Sequence, residues 1–410
     1  MKSGPVGGTK VCFAPKATSY RVAAKCREVP PVEVGTIALR GAGNEGRFQS
    51  GPDEQWGEWM KIFLTGATGF IGQALVRSIR KRGWELQVLV RDPESAPARW
   101  IANQNASLVP GDVTSSQGLE QAVTGTDVLV HNAGVYEFGA DSDAAKRMQT
   151  VNVEGTQNML AAAKAAGVAR TIYVSTVWAL GPSGRPPSPS IERDETQSHD
   201  GRYLTAYERS KAEAHQVALR WRAQGLPLAI AMPNGVVGAN DHSAIGYFLR
   251  LTLLGAMLPM GFGGDAVLAL VDVDALAEGL CLATERAPMG ENYLFCGERS
   301  SLRDVFRLWG QETSRMTPRW YLPRGVMRPQ LALMEPLQRA LGLPAFMSRD
   351  VVDASRAHLD YSSAKAQREL GWSHPSFAAM WPPIIRRERE LMAGRRGFLN
   401  KLRHQPIVTD

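Results

Sequence analysis

The sequence predicts an α/β fold of the Rossmann type, a doubly wound parallel sheet followed by a smaller mixed C-terminal substrate lobe. Three observations support this prediction. Short apolar runs alternate with amphipathic stretches from Met60 onward, the first run ends in a glycine-rich turn, and the alternation ends after Val237. Alternating strands and helices are typical of a parallel sheet covered by helices on both faces.

The expected strands and helices follow from the spacing of apolar residues. After the first apolar run, Ile71, Leu75 and Ile79 have helical spacing, and Gly83 is a stop signal. Strands are expected at 61–65, 86–90, 106–109, 127–131, 170–174 and 228–232. Helices are expected at 70–82, 115–124, 144–166 and 205–224.

The glycine-rich turn lies directly between the first strand and the first helix. Its first glycine permits a tight turn, the second lets a pyrophosphate approach the backbone, and the third lets helix and strand pack closely. The free N–H groups of the helix N-terminus then face the phosphates. The residues expected to contact a dinucleotide here are Gly66, Thr68, Gly69, Phe70, Ile71 and Gly72.

Length and composition limit the class of protein. The 410 residues, 44% hydrophobic and 21% charged, suffice for one large domain or two smaller ones. The four cysteines have no metal-ligand spacing and are too few for a disulfide framework, so we expect free thiols, no metal and a cytoplasmic protein. Because no apolar stretch reaches the roughly 20 residues of a membrane span, we expect no integral membrane segment.

The net charge of +7 is concentrated at the two ends of the chain. Residues 1–59 carry eight Lys or Arg and six Asp or Glu, a charge of +2, and residues 386–410 carry seven and three, a charge of +4. The rest is nearly neutral, which argues against a nucleic-acid partner. We therefore expect a small-molecule substrate.

The ends also differ from the middle in their pattern. Residues 1–59 contain fourteen Gly or Pro and no sustained period, so they are interpreted as disordered or as a mis-assigned extension before Met60. A transit peptide is the alternative, because six Lys or Arg precede the first acid, Glu28. The expected domains are an NAD(P)-binding domain at 60–237, a substrate-binding lobe with interleaved segments at 238–385 and a basic tail at 386–410.

The end of the second strand bears on the choice of cofactor. An acid at this position hydrogen-bonds a ribose 2′-hydroxyl, whereas an arginine nearby pairs with a 2′-phosphate. Arg91 occupies the deciding position and favours NADP. Asp92 follows it directly and leaves NAD open.

Tyr207 and Lys211 lie four residues apart on an expected helix and therefore share a face. A positive neighbour lowers the pKa of a tyrosine and makes its phenolate an accessible base near neutral pH. Ser175 and Thr176 end a strand about thirty residues earlier, at the sheet edge where ligands bind in such folds. These residues are candidates for proton transfer.

Taken together, these motifs resemble the extended short-chain dehydrogenase/reductase family, which includes the NAD-dependent epimerase/dehydratases. The resemblance runs from Met60 to about Trp372, and within the family the chain looks similar to dihydroflavonol-4-reductase-like proteins and to sugar epimerases associated with hopanoid clusters. The motifs that carry it, besides the glycine turn, are Gly111 to Val113, His131 to Gly134, Val151 to Thr156, Ser175-Thr176, Tyr207 to Lys211, Pro233 to Gly238 and Val271 to Asp274.

The resemblance implies roles for individual residues. Thr176, Tyr207 and Lys211 would form the catalytic group, with Asn152 supporting Lys211 through water. The family usually has Ser where this chain has Thr176. Around the cofactor, the resemblance implies contacts with Asp112, Val113, Ala133, Gly134, Tyr207, Lys211, Pro233 and Val236. It also implies a homodimer through the helices near 144–166 and 205–224.

Three functions are compatible with these expectations. We favour a reductase or dehydrogenase that exchanges NADP(H) with solution and transfers hydride at a carbonyl or secondary alcohol. The first alternative is a nucleotide-sugar epimerase with tightly held NAD, for which Arg250, Arg319 and Arg324 are candidate diphosphate ligands. The second is a non-catalytic redox sensor, which the presence of both Tyr207 and Lys211 disfavours.

Overall fold

A computed structural model describes residues 59–137, 141–181, 193–343 and 345–403. The expectation of a disordered or mis-assigned segment at 1–59 falls, apart from Trp59, outside the described residues, as does the end of the basic tail after Arg403. Within the described ranges, none of the helices is long and apolar enough to cross a membrane.

Thirteen strands are present in the described part of the chain. They are β1 (Lys61–Thr65), β2 (Glu85–Val90), β3 (Ser107–Pro110), β4 (Val128–His131), β5 (Arg170–Val174), β6 (Leu228–Pro233), β7 (Val236–Val237), β8 (Met260–Phe262), β9 (Val267–Leu268), β10 (Val271–Asp272), β11 (Asn292–Phe295), β12 (Ser300–Ser301) and β13 (Trp320–Leu322).

Fourteen α-helices accompany the strands in the same ranges. They are α1 (Phe70–Lys81), α2 (Ala96–Asn103), α3 (Leu119–Val123), α4 (Ser142–Met148), α5 (Gly155–Ala165), α6 (Ala206–Ala223), α7 (Ala244–Leu253), α8 (Val273–Arg286), α9 (Leu302–Thr313), α10 (Arg324–Ala340), α11 (Arg349–Ala354), α12 (Ala364–Leu370), α13 (Phe377–Ala393) and α14 (Phe398–Leu402).

The central sheet confirms the predicted fold class. Its seven strands are all parallel, in the order β11-β6-β5-β4-β1-β2-β3. The order reverses between β1 and β4, where Thr65 pairs with His131 at the carboxyl ends of the two strands. Such a reversal opens a crevice at the carboxyl edge of the sheet, which positions a ligand site there.

Both faces of the sheet are buried, so successive strand residues belong to different cores. Ile62 and Leu64 pack into one cluster with α1 and α8, whereas Phe63 packs into a second cluster with α5 and α6. A third cluster joins α7, α9 and α13 in the C-terminal lobe, where Trp309 and Trp381 meet edge to face. The lobe therefore has an apolar core of its own.

The structure differs from the sequence-based expectation in three elements before α6. The helix expected over 144–166 begins at Ser142 and is interrupted by a π-helical segment, Gln149–Glu154. The helix expected over 115–124 is shortened to α3, and α2 was not predicted.

The alternation of strand and helix also continues past Val237, where the sequence analysis ended it. Helix α8 packs on α1, and the four-residue strand β11 extends the sheet beside β6. Strand β11 was not recognised in the sequence, and its parallel pairing with β6 supplies the hydrogen bonds that define it. The segment 238–385 therefore contributes one strand, β11, to the central sheet and one helix, α8, to the layer that covers it.

Candidate active site

A cleft of about 540 Å³ lies at the carboxyl edge of the sheet, at the reversal between β1 and β4. Its walls come from the glycine turn, the ends of β2, β4 and β5, the start of α6 and the segment after β6. Two of the predicted site residues, Gly72 and Asn152, lie behind this lining. The others reach it: Gly66, Thr68, Gly69, Phe70, Ile71, Arg91, Asp112, Val113, Ala133, Gly134, Thr176, Tyr207, Lys211, Pro233 and Val236.

The glycine turn is shaped by two close approaches of backbone to backbone. Gly66 has φ +72°, and a Cβ at this position would lie 2.8 Å from the backbone N and Cα of Ala133. A Cβ on Gly72 would lie 2.1 Å from the carbonyl oxygen of Gly66, so Gly72 lets α1 pack against the turn. Gly69 begins the helix without a side-chain cap. The first N–H groups of α1 are therefore available to a ligand in the cleft.

Replacing Gly72 by alanine should open this turn. Because the new methyl group meets backbone atoms that cannot rotate away, we expect the free energy of unfolding to fall by about 1–3 kcal/mol and dinucleotide binding to weaken at least about tenfold. Gly325→Ala is the matched control, since a Cβ there meets no atom within 4 Å. Denaturant unfolding and fluorescence titration with NADPH measure both effects. Equal behaviour of the two variants would contradict the assigned packing.

At one end of the cleft, the two residues that follow β2 point in different directions. Arg91 lines the cleft, is exposed, and forms no ion pair with any described residue. The carboxylate of Asp92 instead accepts a hydrogen bond from the N–H of Glu94 at 2.9 Å. A cation without an acidic partner beside a phosphate-binding turn is suited to a further phosphate group.

At the middle of the cleft, Tyr207 and Thr176 both line the wall, and the Thr176 hydroxyl lies near enough to the phenol to influence its pKa. The Thr176 hydroxyl donates to the carbonyl oxygen of Pro233 at 3.2 Å. Thr176 is the N-cap of a short 3-10 turn, Val177–Leu180, which holds its backbone at the end of β5. The two hydroxyls therefore present one polar patch toward the centre of the cleft.

The expected effect of Lys211 on Tyr207 is not found. Burial raises the pKa of Tyr207 to about 12, and the nearby Thr176 hydroxyl lowers it by less. Burial also lowers the pKa of Lys211 to about 8. The ammonium of Lys211 donates to the carbonyl oxygen of Val174 at 3.2 Å and lies 5.3 Å from the centre of the Tyr173 ring. Desolvation of the phenol thus outweighs its charged neighbour.

Asn152 lies on the π-helical segment, behind the cleft wall. Its amide donates to the Ser210 hydroxyl at 2.9 Å and to the Val135 carbonyl at 3.0 Å, and its oxygen accepts from the Val135 N–H at 2.8 Å. These bonds connect the segment after β4 to Ser210 of α6, the residue that precedes Lys211. Extra backbone length of this kind is frequent at functional sites. The water-mediated support of Lys211 stays a prediction.

Tyr136, Asp241 and His242 are among the polar residues of the cleft that the sequence analysis missed. Tyr136 meets the ring of Tyr207 edge to face, with 4.6 Å between centroids. Asp241 and His242 line the cleft from the segment before α7, and burial raises the pKa of Asp241 to about 6. Tyr136 follows Gly134 by two residues, which was a usable signal. The other two are brought in by the path of the chain after β7.

The remaining wall of the cleft is apolar. Of the apolar residues in the C-terminal half, those that line it are Val236, Val237, Ala244, Ile245, Leu268, Leu270 and Leu359, and Trp178 joins them from the turn after β5. Phe248 and Leu249 pack instead into the core of the lobe.

Cations are scarce along the described lining, where Lys and Arg are represented by Arg91 and Lys211. The candidate diphosphate ligands lie elsewhere. Arg250 is fully buried against Glu388, and Arg324 is paired with Asp265. Arg319 is exposed outside the described cleft wall. None of the three therefore serves a diphosphate in this cleft.

Comparison with known proteins agrees with this geometry. A sequence model of the NAD dependent epimerase/dehydratase family matches residues 62–295. A Synechocystis protein named as a dihydroflavonol 4-reductase is 32% identical over 322 residues, 76% of this chain and 89% of that protein. The 4-hydroxy-2-methyl-3-oxo-4-farnesyl-3,4-dihydroquinoline-1-oxide ketoreductase of Stigmatella aurantiaca is 30% identical over 323 residues, 77% of this chain and 92% of that protein.

Among solved structures, the crystal structure of gox2253 has a TM-score of 0.67 at 32% identity and covers 82% of this chain and 99% of its own. The family match covers more than half of the chain and includes every strand of the central sheet. The resemblance to extended short-chain dehydrogenases is thereby confirmed, and with it the enzymatic character of the family. The chain belongs to the NAD dependent epimerase/dehydratase family.

Proposed function

We propose that this protein is an NADP(H)-dependent reductase or dehydrogenase that acts on a carbonyl group or secondary alcohol of an apolar substrate. One observation carries the proposal. A single cleft holds Arg91, without an acidic partner among the described residues, at one end and the neighbouring hydroxyls of Tyr207 and Thr176 at its centre. The first feature supports a dinucleotide with a 2′-phosphate, and the second supports proton transfer.

The residues of the cleft fit a dinucleotide. The backbone approach at Gly66 and the uncapped start of α1 at Gly69 leave room and N–H donors for a pyrophosphate. Arg91 would hold the 2′-phosphate, and Lys211 a ribose hydroxyl. When bound, the nicotinamide ring would supply or accept hydride.

Tyr207 would act as the proton donor to the substrate oxygen. A pKa of about 12 keeps its phenol protonated at neutral pH, which suits an acid in the direction of carbonyl reduction. Thr176 would orient the same oxygen through its hydroxyl, and the backbone of the 3-10 turn holds that hydroxyl in place. Thr176 is buried and Tyr207 is partly buried, which limits the access of bulk water to the proton path.

The apolar wall supports an apolar substrate. Its aliphatic side chains and Trp178 offer burial to a hydrocarbon body, while Tyr207 and Thr176 offer hydrogen bonds to a single oxygen. The ketoreductase relative from Stigmatella aurantiaca is named for a farnesylated quinoline oxide, which has this chemistry. The scarcity of cations along the described lining argues against a nucleotide sugar.

Arg91→Ala should change the cofactor preference. Losing a charge-assisted contact with the 2′-phosphate costs about 1.5–3 kcal/mol, so the Kd for NADPH should rise about 10- to 150-fold. The Kd for NADH should change less than about twofold, since NADH lacks that phosphate. Isothermal titration of both cofactors measures the difference, with Arg99→Ala on the exposed face of α2 as control. Equal weakening of both cofactors would refute the 2′-phosphate contact.

The purified full chain also distinguishes the reductase from the epimerase. We expect protein prepared without added nucleotide to release no stoichiometric dinucleotide on denaturation, as judged by mass spectrometry of the supernatant. It should then oxidise NADPH with hydrophobic ketones. Retention of one NAD per chain would instead support a self-regenerating epimerase.

A further inference from the structure

Helix α10, together with its C-cap residue Leu341, carries an exposed apolar stripe. Val326, Leu333, Leu337 and Leu341 follow one another at intervals of seven, four and four residues, which places them on one helix face. Their exposed fractions are 48%, 77%, 50% and 41%. Surface leucines in such number on one helix face mark an interaction site rather than ordinary surface.

The opposite face of α10 is anchored, so the stripe stays outside. Leu331 packs with Phe262 and Val352 in a small core between α10 and α11. Glu335 is buried and forms an ion pair with Arg349 of α11 at 3.2 Å. An amphipathic helix held in this way has one face left for a partner.

The C-terminal end of the stripe meets the end of the basic segment 386–403. The guanidinium of Arg403 donates to the carbonyl oxygen of Leu341 at 2.9 Å, which brings the end of α14 against α10. Residues 386–403 carry seven Lys or Arg and two Glu. Arg386, Arg389 and Arg396 are exposed and form no ion pair within the described ranges.

We propose that the stripe of α10 and the basic segment 386–403 dock this protein on the surface of a bilayer that contains anionic lipid. Leucines on one helix face insert at the boundary of head groups and acyl chains, and nearby arginines attract anionic head groups. A second copy of the chain is a poorer partner, because a two-fold interface through the stripe would bring two basic segments together.

The docking helix is linked to a segment beside the cleft. Arg339 on α10 pairs at 3.6 Å with Asp141, the N-cap of α4. Tyr136, five residues earlier in the chain, lines the cleft and meets the ring of Tyr207. Docking through α10 would therefore bring the lipid surface toward the segment that carries Tyr136, from which an apolar substrate would enter the cleft. This last step rests on the proposed function, whereas docking itself does not.

Vesicle co-sedimentation of the full chain tests the proposal. We expect binding to vesicles of phosphatidylcholine that contain about 30% of the anionic lipid phosphatidylserine. Binding to vesicles of phosphatidylcholine alone, or at high salt, should be at least about tenfold weaker. Leu333→Glu with Leu337→Glu should lower the partition coefficient at least about tenfold, because two exposed leucines that would insert into the bilayer are replaced by charges that anionic lipid repels. The control variant, Gln117→Glu with Gln121→Glu, adds the same negative charge just before and within α3. Its partition coefficient should equal that of wild type.

Three results would overturn the proposal. The first is that the wild-type chain fails to sediment with anionic vesicles. The second is that the Leu333/Leu337 variant binds these vesicles as well as wild type does. The third is that the wild-type chain does not bind vesicles and is a dimer in ultracentrifugation, whereas the variant is a monomer. In the third case the stripe is an interface between two copies. NADPH titration of the same variants separates docking from function, since cofactor affinity should stay unchanged whether or not vesicles bind.

Discussion

Tyr207→Phe is expected to lower kcat for carbonyl reduction by about 10²–10⁴-fold, because it removes the phenol hydroxyl that lines the cleft beside Thr176 and would donate the proton. The ring and its edge-to-face contact with Tyr136 are retained, so the cleft keeps its shape. The Kd for NADPH should therefore change less than about threefold.

Steady-state kinetics with any accepted ketone, together with NADPH titration, measures this result. Tyr203→Phe is the matched control, since Tyr203 lies near the start of α6, outside the described cleft wall, and stacks on His199. It should keep nearly full activity. If Tyr207→Phe retains more than about a tenth of the wild-type kcat, the proton comes from another group and the proposed mechanism is wrong.

The second large effect concerns the buried ion pair of the C-terminal lobe. Arg250 on α7 is fully buried and donates to the carboxylate of Glu388 on α13 at 2.8 Å. Its guanidinium also bonds the carbonyl oxygens of Asp241 and Leu402 and lies 4.9 Å from the ring centre of Tyr247. One cation thus joins the cleft segment, α7, α13 and α14.

Arg250→Met should lower the free energy of unfolding by about 3–5 kcal/mol, because Glu388 is left as a buried charge without a cation. Arg250→Met combined with Glu388→Met should recover at least half of this loss, since an apolar pair of similar volume carries no desolvation cost. Denaturant unfolding of the two single variants and the double variant completes the cycle.

Arg307→Met provides the control for this cycle. Arg307 is paired with Asp304 at 3.8 Å on an exposed surface, where ion pairs contribute little because water and salt screen them. Its loss should cost less than about 1 kcal/mol. A cost of Arg250→Met as small as that of Arg307→Met would mean that water reaches Glu388 and that the lobe is less tightly packed than the contacts imply.

Much of the nucleotide-binding half follows from local sequence. Strands of four to six apolar residues and helices with a 3.6-residue period are recognisable without tertiary information, as β1 and α1 demonstrate. The roles of Gly66 and Gly72 in the turn could be predicted for the same reason. A strand, a tight turn and a helix within twelve residues leave few backbone conformations. Tyr207 and Lys211 needed only the spacing of one helix turn.

The pKa values of these groups did not follow from spacing. The sequence places an ammonium four residues from a phenol, and the expected result was a lowered tyrosine pKa. In the folded protein both groups lose water, which raises the pKa of Tyr207 and lowers that of Lys211. Desolvation depends on every element packed around a group and is therefore a property of the fold.

The sequence by itself determined the fold class, the glycine turn, the position of Arg91 after β2 and the shared face of Tyr207 and Lys211, since each depends on neighbours within one or two turns of chain. Only the tertiary structure decided which other polar groups line the cleft, such as Asp241, and which arginines lie outside it. The pairing of Arg250 with Glu388 spans 138 residues, and the exposure of the α10 stripe depends on what covers the opposite face. Contacts between distant segments carry no periodic signal, so folding alone reveals them.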